Sequence, residues 1–488
     1  VREIAFEIDD DSGAPVFIRL SRAIIAAIES GRLEPGRKLP GTRTLAAALK
    51  IHRNTVDAAY HEAVMQGWLV AEPARGTFVA RDLPEMPAGG PPRAEAVRGA
   101  NLRSCAEPVT PACGGAPMLH VSDGAPDPRL LPGAEMARAF RRALTAPEFL
   151  RSGRHDDPHG DPRGTPALRE ALCAHLSAER GLAASPGEIL VTRGSQMALF
   201  LAAGALLGRD AVVAVEEPGY PLAVAAFRAA GARVVGVPVD ADGLSIDDLE
   251  RLAKVEPGLR AVYVTPHHQY PTTVTLGAGR RIRLLDLARR HGLTIIEDDY
   301  DHAYRFDGRP VLPLASRAGD VPVVHVGSLS KVLAPGLRLG YATGPAGLLA
   351  RMAADRRAID RQGDVPPEHA VALLLREGDL GRHARKTRRI YRARRDRLAD
   401  LLWDALGDRL TFDVPAGGLA LWARLGPGLD AARWSEAARR LGLAVTPGSA
   451  HCLNAVTAAQ AFRLGFADLC DDDLRRMVAL LGRAYPTR

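Results

Sequence analysis

The chain has 488 residues and a formal net charge of +7, from 64 Lys and Arg against 57 Asp and Glu. At roughly 150 residues per domain, this length predicts about three compact units and excludes a single small module. With 47% apolar and 25% charged residues, the composition excludes a chain disordered throughout and a fibrous repeat. The longest apolar stretch, Met197 to Leu207, is shorter than the roughly 20 residues of a membrane-spanning helix. Because the first residues are acidic, unlike a signal peptide, we expect a cytoplasmic protein without a membrane partner.

The composition along the chain predicts two domains and a linker. Residues 84–117 are rich in Pro, Gly and Ala and have no apolar periodicity, which is typical of a linker. We therefore predict a small domain over residues 1–80, a linker over 81–117 and a large domain over 118–488. Five scattered cysteines without a C-x-x-C pair predict neither a disulfide framework nor a metal site.

The first domain has the pattern of three helices followed by a hairpin. An apolar helical face from Ile18 to Ile28 ends before Gly31, a residue type that favours helix ends. A second helix is predicted with Thr42 as its N-cap, and a third from Arg53 to about Gln66. Two strands follow, at residues 68–70 and 77–79, joined by a tight turn at Arg75 and Gly76. Two short helices in tandem and a wing predict a winged helix-turn-helix.

Its charge distribution indicates a nucleic-acid partner. From Arg32 to Arg53 the chain carries six basic residues and one acid, and such a cluster attracts DNA phosphates. Short polar and arginine side chains at the start of a recognition helix reach base edges in the major groove. The alternative is a solvated face of an interaction module. The predicted DNA-binding residues are Arg43, Arg53, Asn54, Thr55, Arg75 and Gly76.

Four short motifs make a family resemblance specific. They are LPGTRTLA at residues 39–46, HRNTV at 52–56, GWL at 67–69 and GTFV at 76–79. Residues 15–80 resemble the winged helix of the GntR family of bacterial transcriptional regulators. Gly41 and Thr42 stand where that family usually has two serines. The resemblance implies double-stranded DNA as a partner.

The large domain alternates short β-rich runs with helical patterns. Strands that alternate with helices predict a mostly parallel sheet covered on both faces. A second α+β portion is expected around residues 410–424 and 443–466. The predicted strands are Ile189 to Thr192, Ala211 to Val215, Arg233 to Val237, Ala261 to Val264, Thr294 to Glu297, Val323 to Gly327 and Leu339 to Thr343.

The strongest chemical motif is the string GSLSK, which ends at Lys331 and follows an apolar strand. A lysine that forms an imine must be fixed at a strand end beside an anion site. Ser328 and the later Arg338 are suited to contact a phosphate. The string therefore indicates a pyridoxal phosphate (PLP) site.

Other strand ends carry the partners that such a site needs. Ser195 and Gln196 lie where a strand turns into an apolar helix, whose free N–H groups bind phosphate. A protonated pyridine nitrogen needs a carboxylate, and we predict Asp298 for this role, with Asp299 and helix capping as alternatives. Tyr220 follows another strand end and is suited to stack on the ring.

Together these motifs resemble the fold-type I PLP enzymes of the class I/II aminotransferase family, from Leu119 to Arg488. The resemblance implies that Lys331 is the catalytic Schiff-base lysine, that Asp298 pairs with the ring nitrogen, and that Tyr300 bonds the ring hydroxyl. Arg463 matches the arginine that binds a substrate α-carboxylate; a surface salt bridge is its alternative. The remaining implied cofactor-binding residues are Ser195, Gln196, Ser328 and Arg338 around the phosphate and Tyr220 over the ring.

Two segments depart from the family pattern. His159 stands where a tyrosine usually reaches the cofactor phosphate of the other subunit. Thr273 replaces a glycine in a loop near the ring hydroxyl, in which Gln269 and Tyr270 are further candidates.

The order of the two domains resembles the MocR subfamily of GntR regulators. That resemblance implies a homodimer that presents two winged helices to DNA and senses an amino compound or PLP. A functional aminotransferase with an accessory DNA-binding arm is the alternative, and residual transamination stays open. A run of basic residues from Arg382 to Arg397 predicts either a solvated helix face or an accessory contact to DNA.

Overall fold

The computed structural model describes residues 15–73, 75–83, 118–151, 160–208, 210–308, 311–453 and 459–485. The chain divides into two compact units, with the boundary between Thr110 and Pro111. Residues 84–117 of the predicted linker and His159 lie outside the described residues, so the predicted domain limits stay predictions. No helix in the described ranges has both the length and the apolar character needed to cross a membrane.

The first unit contains three helices and a two-stranded hairpin. Leu20 and Ile24 of the first helix pack with Val56 and Tyr60 of the third, and all four are buried. The two strands pair antiparallel, with Leu69 opposite Val79. This is the predicted winged helix-turn-helix. Its elements are α1 (Val16–Glu29), α2 (Thr42–Leu49), α3 (Arg53–Met65), β1 (Leu69–Glu72) and β2 (Gly76–Val79).

The ends of these helices test the cap predictions. Gly31 has a left-handed φ of +72°, as expected of a glycine just past a helix end. The prediction that Thr42 is an N-cap is wrong. Thr42 is already helical, and the N-cap is Gly41, whose extended backbone makes no side-chain cap bond. The helix thus begins one residue earlier than predicted.

The second unit is an α/β structure built on one large sheet and a smaller one. Its helices are α4 (Gly133–Leu144), α5 (Pro147–Arg151), α6 (Pro166–Arg180), α7 (Gly194–Leu206), α8 (Pro221–Ala229), α9 (Ile246–Val255), α10 (Ala278–His291), α11 (Ala346–Asp360), α12 (Val365–Arg376), α13 (Asp379–Leu406), α14 (Ala431–Arg440) and α15 (Asp471–Arg483). Its strands are β3 (Leu119–His120), β4 (Ile189–Thr192), β5 (Val212–Glu217), β6 (Arg233–Asp240), β7 (Gly243–Leu244), β8 (Leu259–Val264), β9 (Thr294–Asp299), β10 (Val323–Ser328), β11 (Gly340–Thr343), β12 (Leu410–Thr411), β13 (Ala420–Leu425), β14 (Leu443–Ala444), β15 (Thr446–Pro447) and β16 (Ala461–Gly465).

The large sheet has the strand order β4-β11-β10-β9-β8-β5-β6-β7. Strands β6, β5, β8, β9 and β10 run parallel, and β11 pairs antiparallel with both of its neighbours. Each strand predicted from the sequence lies in this sheet, within a few residues of its expected limits. The mostly parallel α/β architecture is therefore confirmed.

Both faces of this sheet are covered, which explains why its strands are almost continuously apolar. Val213 and Val215 pack in the cluster that includes α7 and α8, whereas Val212 and Ala214 pack in the cluster that includes α9 and α10. The same alternation sends Ile295 and Ile296 to opposite faces. Because the parallel strands end at one edge, the polar residues that follow them gather there.

Candidate functional site

The exposed starts of α2 and α3 carry the predicted DNA-contacting side chains. Arg43, Arg53 and Asn54 are exposed and Thr55 is half-buried. His52 caps α3 by accepting a hydrogen bond on Nδ1 from the Asn54 amide, at 3.2 Å. The first turn of α3 has no acid, although the helix dipole there favours negative charge. A cation at this helix start is stabilised neither by the helix dipole nor by an acid in the same turn. It is therefore available to an anionic partner.

The turn of the wing places a second basic group at the surface of the same unit. Gly76 has a φ of +115°, and a Cβ there would lie 2.9 Å from Lys38 Cε, so the turn requires glycine. Arg75 is exposed and forms an ion pair with Glu72 at 2.5 Å. Unlike Arg75, neither Arg43 nor Arg53 forms an ion pair with another described residue.

In the second unit, a small cavity opens at the carboxyl ends of the parallel strands. It brings together six predicted site residues that come from four separate parts of the chain. Gln196, Arg338 and Arg463 do not line it. The lining residues are Asp123, Ser195, Tyr220, Tyr263, Thr265, Tyr270, Asp298, Tyr300, Ser328 and Lys331.

Lys331 follows the end of β10 by three residues and points into this cavity. Its Nζ donates a hydrogen bond to the Gly124 carbonyl oxygen at 2.9 Å. Burial lowers the pKa of the amine, Arg463 lowers it further, and the carboxylate of Asp123 opposes both effects. A lowered pKa increases the share of neutral amine, which is the nucleophilic form.

Asp298 lies near the end of β9 and lines the same cavity. Its Oδ2 accepts a hydrogen bond from the Tyr263 hydroxyl at 2.9 Å, and its Oδ1 has no partner among the described residues. Burial raises the pKa of Asp298 to about 7, although the Tyr263 bond opposes the rise. A buried carboxylate with a free oxygen is matched to a cationic partner.

The adjacent Asp299 is in a different environment, on the other face of the strand. Arg180 Nη2 lies 2.6 Å from its Oδ2, and His267 Nδ1 lies 3.2 Å from its Oδ1. Burial opposes ionisation, but His267 and Arg180 hold the pKa of Asp299 well below its usual range. The charge of Asp299 is already neutralised by Arg180, on the face away from the cavity. Asp299 is therefore not the carboxylate that faces the cavity.

The start of α7 forms one end of the cavity, where Ser195 lies in its first turn. Arg338 packs against this turn, since a Cβ on Gly194 would lie 2.9 Å from its Nη2. Gln196 Nε2 donates to the Leu222 carbonyl oxygen at 2.8 Å. Free amide groups, serine hydroxyls and a guanidinium at one helix start are suited to bind an anion.

Arg463 lies in β16, fully buried, directly behind the aromatic wall of the cavity. Its Nε donates to the Asp123 carbonyl oxygen at 2.9 Å, and its Nη1 donates to the Pro271 carbonyl oxygen at 2.6 Å. Its guanidinium carbon is 4.4 Å from the centre of the Tyr270 ring. The burial excludes a surface salt bridge, the alternative considered for this residue.

Several residues of this region have no motif that marks them in the sequence. Asp123 and Gly124 lie far from Lys331 in the chain, and Tyr263 is one aromatic residue in an apolar strand. His451 is 6% exposed, and both of its ring nitrogens lack partners in the described part of the chain. Its ring centre is 5.3 Å from that of Tyr270. The only feature of the sequence that could have indicated a role for Tyr263 is a polar hydroxyl within an apolar strand.

The loop after β8 explains the glycine that is usual at position 273. Thr273 has a left-handed φ of +66°, a conformation that favours glycine. Its amide donates to the Gln269 carbonyl oxygen at 2.7 Å, which keeps the turn closed. Tyr270 lines the cavity, whereas the side-chain Nε2 of Gln269 donates to the Tyr270 carbonyl oxygen in the loop and to the Pro218 carbonyl oxygen, which follows β5.

The basic run of α13 has two kinds of members. Arg394 forms an ion pair with Asp127 at 2.8 Å, and the buried Arg395 donates to the Pro415 carbonyl oxygen at 2.7 Å. Arg385, Lys386, Arg388 and Arg389 are exposed. Part of the run therefore stabilises the fold. A contact between its exposed arginines and DNA stays a prediction.

Two family models match the chain, one for each unit. The model described as "Bacterial regulatory proteins, gntR family" matches residues 19–79, and "Aminotransferase class I and II" matches residues 129–481. The "Probable rhizopine catabolism regulatory protein MocR" of Rhizobium meliloti is 30% identical over 98% of this chain and 95% of its own length. The chain belongs to the MocR subfamily of GntR regulators. Its C-terminal part belongs to the class I and II aminotransferase family.

Other relatives of this MocR-type chain agree with that assignment. The "HTH-type transcriptional regulator TauR" of Rhodobacter capsulatus is 31% identical over 96% of both chains. An archaeal alanine:glyoxylate aminotransferase of known structure superposes with a TM-score of 0.71 and 28% identity, over 76% of this chain and 91% of its own. The regulators match both units, whereas the aminotransferase matches the second.

The cavity fits PLP, the cofactor of this family and of this chain. The Oδ1 of Asp298, which has no partner among the described residues, suits a cationic ring nitrogen, and the start of α7 with Ser195 suits a phosphate. Lys331 supplies a buried amine with a lowered pKa. These donors match the three polar parts of the cofactor.

Proposed function

We propose that this MocR-type chain is a transcriptional regulator that binds operator DNA through its winged helix and responds to an amino compound or to PLP. The observation that carries the proposal is that one chain has two surfaces suited to bind a ligand. The first is the cationic start of α3, which lacks acidic partners within the described residues. The second is the cavity of the second unit, where Lys331 and Asp298 face the same space.

Each side chain has a part in holding the cofactor under this proposal. Lys331 forms the covalent bond, Asp298 holds the proton of the ring nitrogen, and Tyr300 and Tyr220 contact the ring. Around the phosphate we place Ser195, Gln196, Ser328 and Arg338. When bound, PLP supplies an electrophilic carbon that captures amines reversibly.

Arg463 indicates the chemical class of the effector. A guanidinium fork binds a carboxylate with two parallel hydrogen bonds, and burial strengthens such a pair. Arg463 lies behind the Tyr270 ring, so an amine with a carboxylate would span from Lys331 to Arg463 when this ring moves aside. If PLP is itself the effector, occupancy of Lys331 is the signal and Arg463 has no part in it.

A homodimer completes the proposed mechanism. Two copies would present two winged helices to two half-sites, in keeping with the symmetry of most operators for such proteins. A ligand that binds one dimer state more tightly than another then changes the affinity for DNA. Arg43, Arg53, Asn54, Thr55, Arg75 and Gly76 are the proposed contacts to DNA.

Catalysis is the second candidate function, favoured by one specific observation. Lys331 has a lowered pKa and Asp298 a free carboxylate oxygen, and transamination requires both features. A chain that only senses an amine does not need a lysine able to move protons repeatedly.

One experiment separates the two candidates. The full-length chain selects binding sites from a random-sequence DNA library, and the selected DNA is titrated with amines and with PLP. We expect one sequence to be enriched and its affinity to change with one of these ligands. Absence of enrichment, together with steady turnover of an amino acid and a 2-oxo acid, would overturn the regulator and favour the enzyme.

A further inference from the structure

A second cavity, of about 150 Å³, lies beside the cofactor cavity in the aminotransferase-like unit. Helices α6 and α13 form two of its sides, and the loops that follow β8 and β9 form the others. Leu329 and Val332 line it from the loop whose Lys331 faces the cofactor cavity. The two cavities therefore lie on opposite sides of one short loop and have no lining residue in common.

The lining of this second cavity is strongly basic. It contains the guanidinium groups of Arg180, Arg305, Arg385 and Arg388 against the single carboxylate of Glu179, within the described residues. Arg180 is neutralised by Asp299, at 2.6 Å. The other three arginines form no ion pair in the part of the chain that the structure describes, so positive charge is left in excess.

The side chain of Arg305 lacks hydrogen-bond acceptors within the described residues. Two of its three side-chain nitrogens, Nε and Nη1, are buried and have no hydrogen-bond partner among the described residues. The buried Arg180 also has an Nε without a partner in the same ranges. Guanidinium nitrogens withdrawn from water without acceptors are destabilising, so such groups normally meet an anion.

Neutral histidines complete the donor set. Burial lowers the pKa of His175 and of His267 to about 4, so both rings are uncharged at neutral pH. His267 is already engaged, because its Nε2 lies 2.8 Å from the Val311 carbonyl oxygen and its Nδ1 lies 3.2 Å from Asp299. The neutral ring of His175 offers one N–H donor and one acceptor. The combination of excess guanidinium charge with neutral ring donors resembles the way proteins surround phosphate and carboxylate groups.

We propose that this cavity is a binding site for a small oxyanion, a phosphate or a carboxylate, separate from the site of PLP. Arg305, Arg385 and Arg388 provide the charge, and His175 provides a further hydrogen bond. The site exists whether the chain regulates transcription or catalyses transamination.

Its position connects it to the cofactor cavity. His268 lines the second cavity, and its carbonyl oxygen accepts a hydrogen bond at 3.0 Å from the hydroxyl of Tyr300, which lines the first. Tyr304, next to the second cavity, donates to the Lys331 carbonyl oxygen at 3.1 Å. An anion that draws Arg305 inward acts on the chain segment that carries both tyrosines.

The test is a calorimetric titration of the full chain, loaded with PLP, with inorganic phosphate and separately with succinate. Ionic strength is held constant with chloride. We expect one saturable site per chain for at least one of the two probes, and preference between them distinguishes a phosphate from a carboxylate ligand. The variants Arg305→Gln and Arg388→Glu should each weaken this binding about tenfold or more, because each removes a charge-assisted contact.

Arg389→Glu is the matched control, since Arg389 is exposed on the same helix and does not line the cavity. It should leave the affinity unchanged. Without added anion, Arg305→Gln should melt at the same temperature as the parent or higher, because it removes a buried charge without acceptors. Titrations that do not saturate, or equal affinities in the parent, Arg305→Gln and Arg388→Glu, would overturn the proposal.

Discussion

The two units of this MocR-type chain keep their charged functional groups in opposite environments. In the winged helix, Arg43 and Arg53 are exposed and free of acidic partners among the described residues. In the aminotransferase-like unit, Asp298 and Arg463 are buried, and Lys331 points into a small cavity. Exposed charges are screened by salt and act nearly independently, whereas buried charges shift each other's pKa values. Substitutions should therefore have graded effects in the first unit and decisive effects in the second.

The largest expected effect is at Lys331. The Lys331→Ala variant should lose covalently held PLP completely, because among the described residues no other lysine lines the cavity. Borohydride reduction followed by peptide mass spectrometry measures the attachment. Lys254→Ala is the control, since this lysine is exposed and paired with Glu250. A reduced PLP adduct that persists in Lys331→Ala would show that the cofactor is held elsewhere.

Arg463 should give the next largest effect, confined to the effector. Arg463→Ala should keep covalently held PLP yet bind a carboxylate-bearing amine about 2 to 5 kcal/mol more weakly, since a desolvated ion pair is broken. The amine-driven change in cofactor absorbance measures this affinity. Arg424→Ala, on the adjacent strand with an exposed side chain, should behave like the parent. An unchanged response in Arg463→Ala would indicate an effector without a carboxylate, or PLP itself.

The exposed cations of the first unit should give smaller and additive effects. Arg43→Ala or Arg53→Ala should weaken operator binding by about 1 to 3 kcal/mol if the side chain reads a base. If it contacts a phosphate instead, the slope of affinity against salt should fall by about one unit. Fluorescence anisotropy at several salt concentrations separates the two outcomes. Arg22→Ala, exposed on α1, is the control. Unchanged affinity in both variants would remove this face from the DNA interface.

Asp298 should make the stability of the PLP-free protein depend on pH. Burial raises its pKa from 3.8 to about 7, so between these values the folded chain holds a proton that the unfolded chain has released. The free energy of unfolding should therefore fall as pH rises through this window, by at most about 1.4 kcal/mol per pH unit. Urea unfolding of the parent and of Asp298→Asn measures the difference. A difference that stays constant with pH would contradict the raised pKa.

Much of the fold could be predicted because its determinants are local. The strands of the large sheet are short apolar runs bounded by turns, and they lie where these runs predict them. The hairpin of the wing follows from two such runs and a glycine with positive φ. Thr42 was assigned wrongly because a cap depends on backbone angles, and both Gly41 and Thr42 suit that position by residue type.

The residue types of the site could be predicted from the sequence, but the arrangement of these residues could not. Asp298 and Asp299 are adjacent and chemically alike, so the sequence left both open. Alternation along β9 directs Asp298 to the cavity and Asp299 to Arg180, 119 positions away in the chain. Gly124 accepts the Lys331 hydrogen bond from 207 positions away. Contacts over such distances follow from strand order, which no local pattern contains.

The sequence by itself therefore determined the two families and the order of the domains, and it predicted the residues that would hold PLP. Those features depend on local patterns, since a strand end with a lysine or a helix start with an arginine needs only its neighbours. The tertiary structure decided which carboxylate faces the cavity, what surrounds Arg463, and that three arginines without ion-pair partners among the described residues meet in a second cavity. These outcomes depend on burial and on partners brought together by the fold, and burial is what changes the pKa and hydrogen-bonding needs of a charged group.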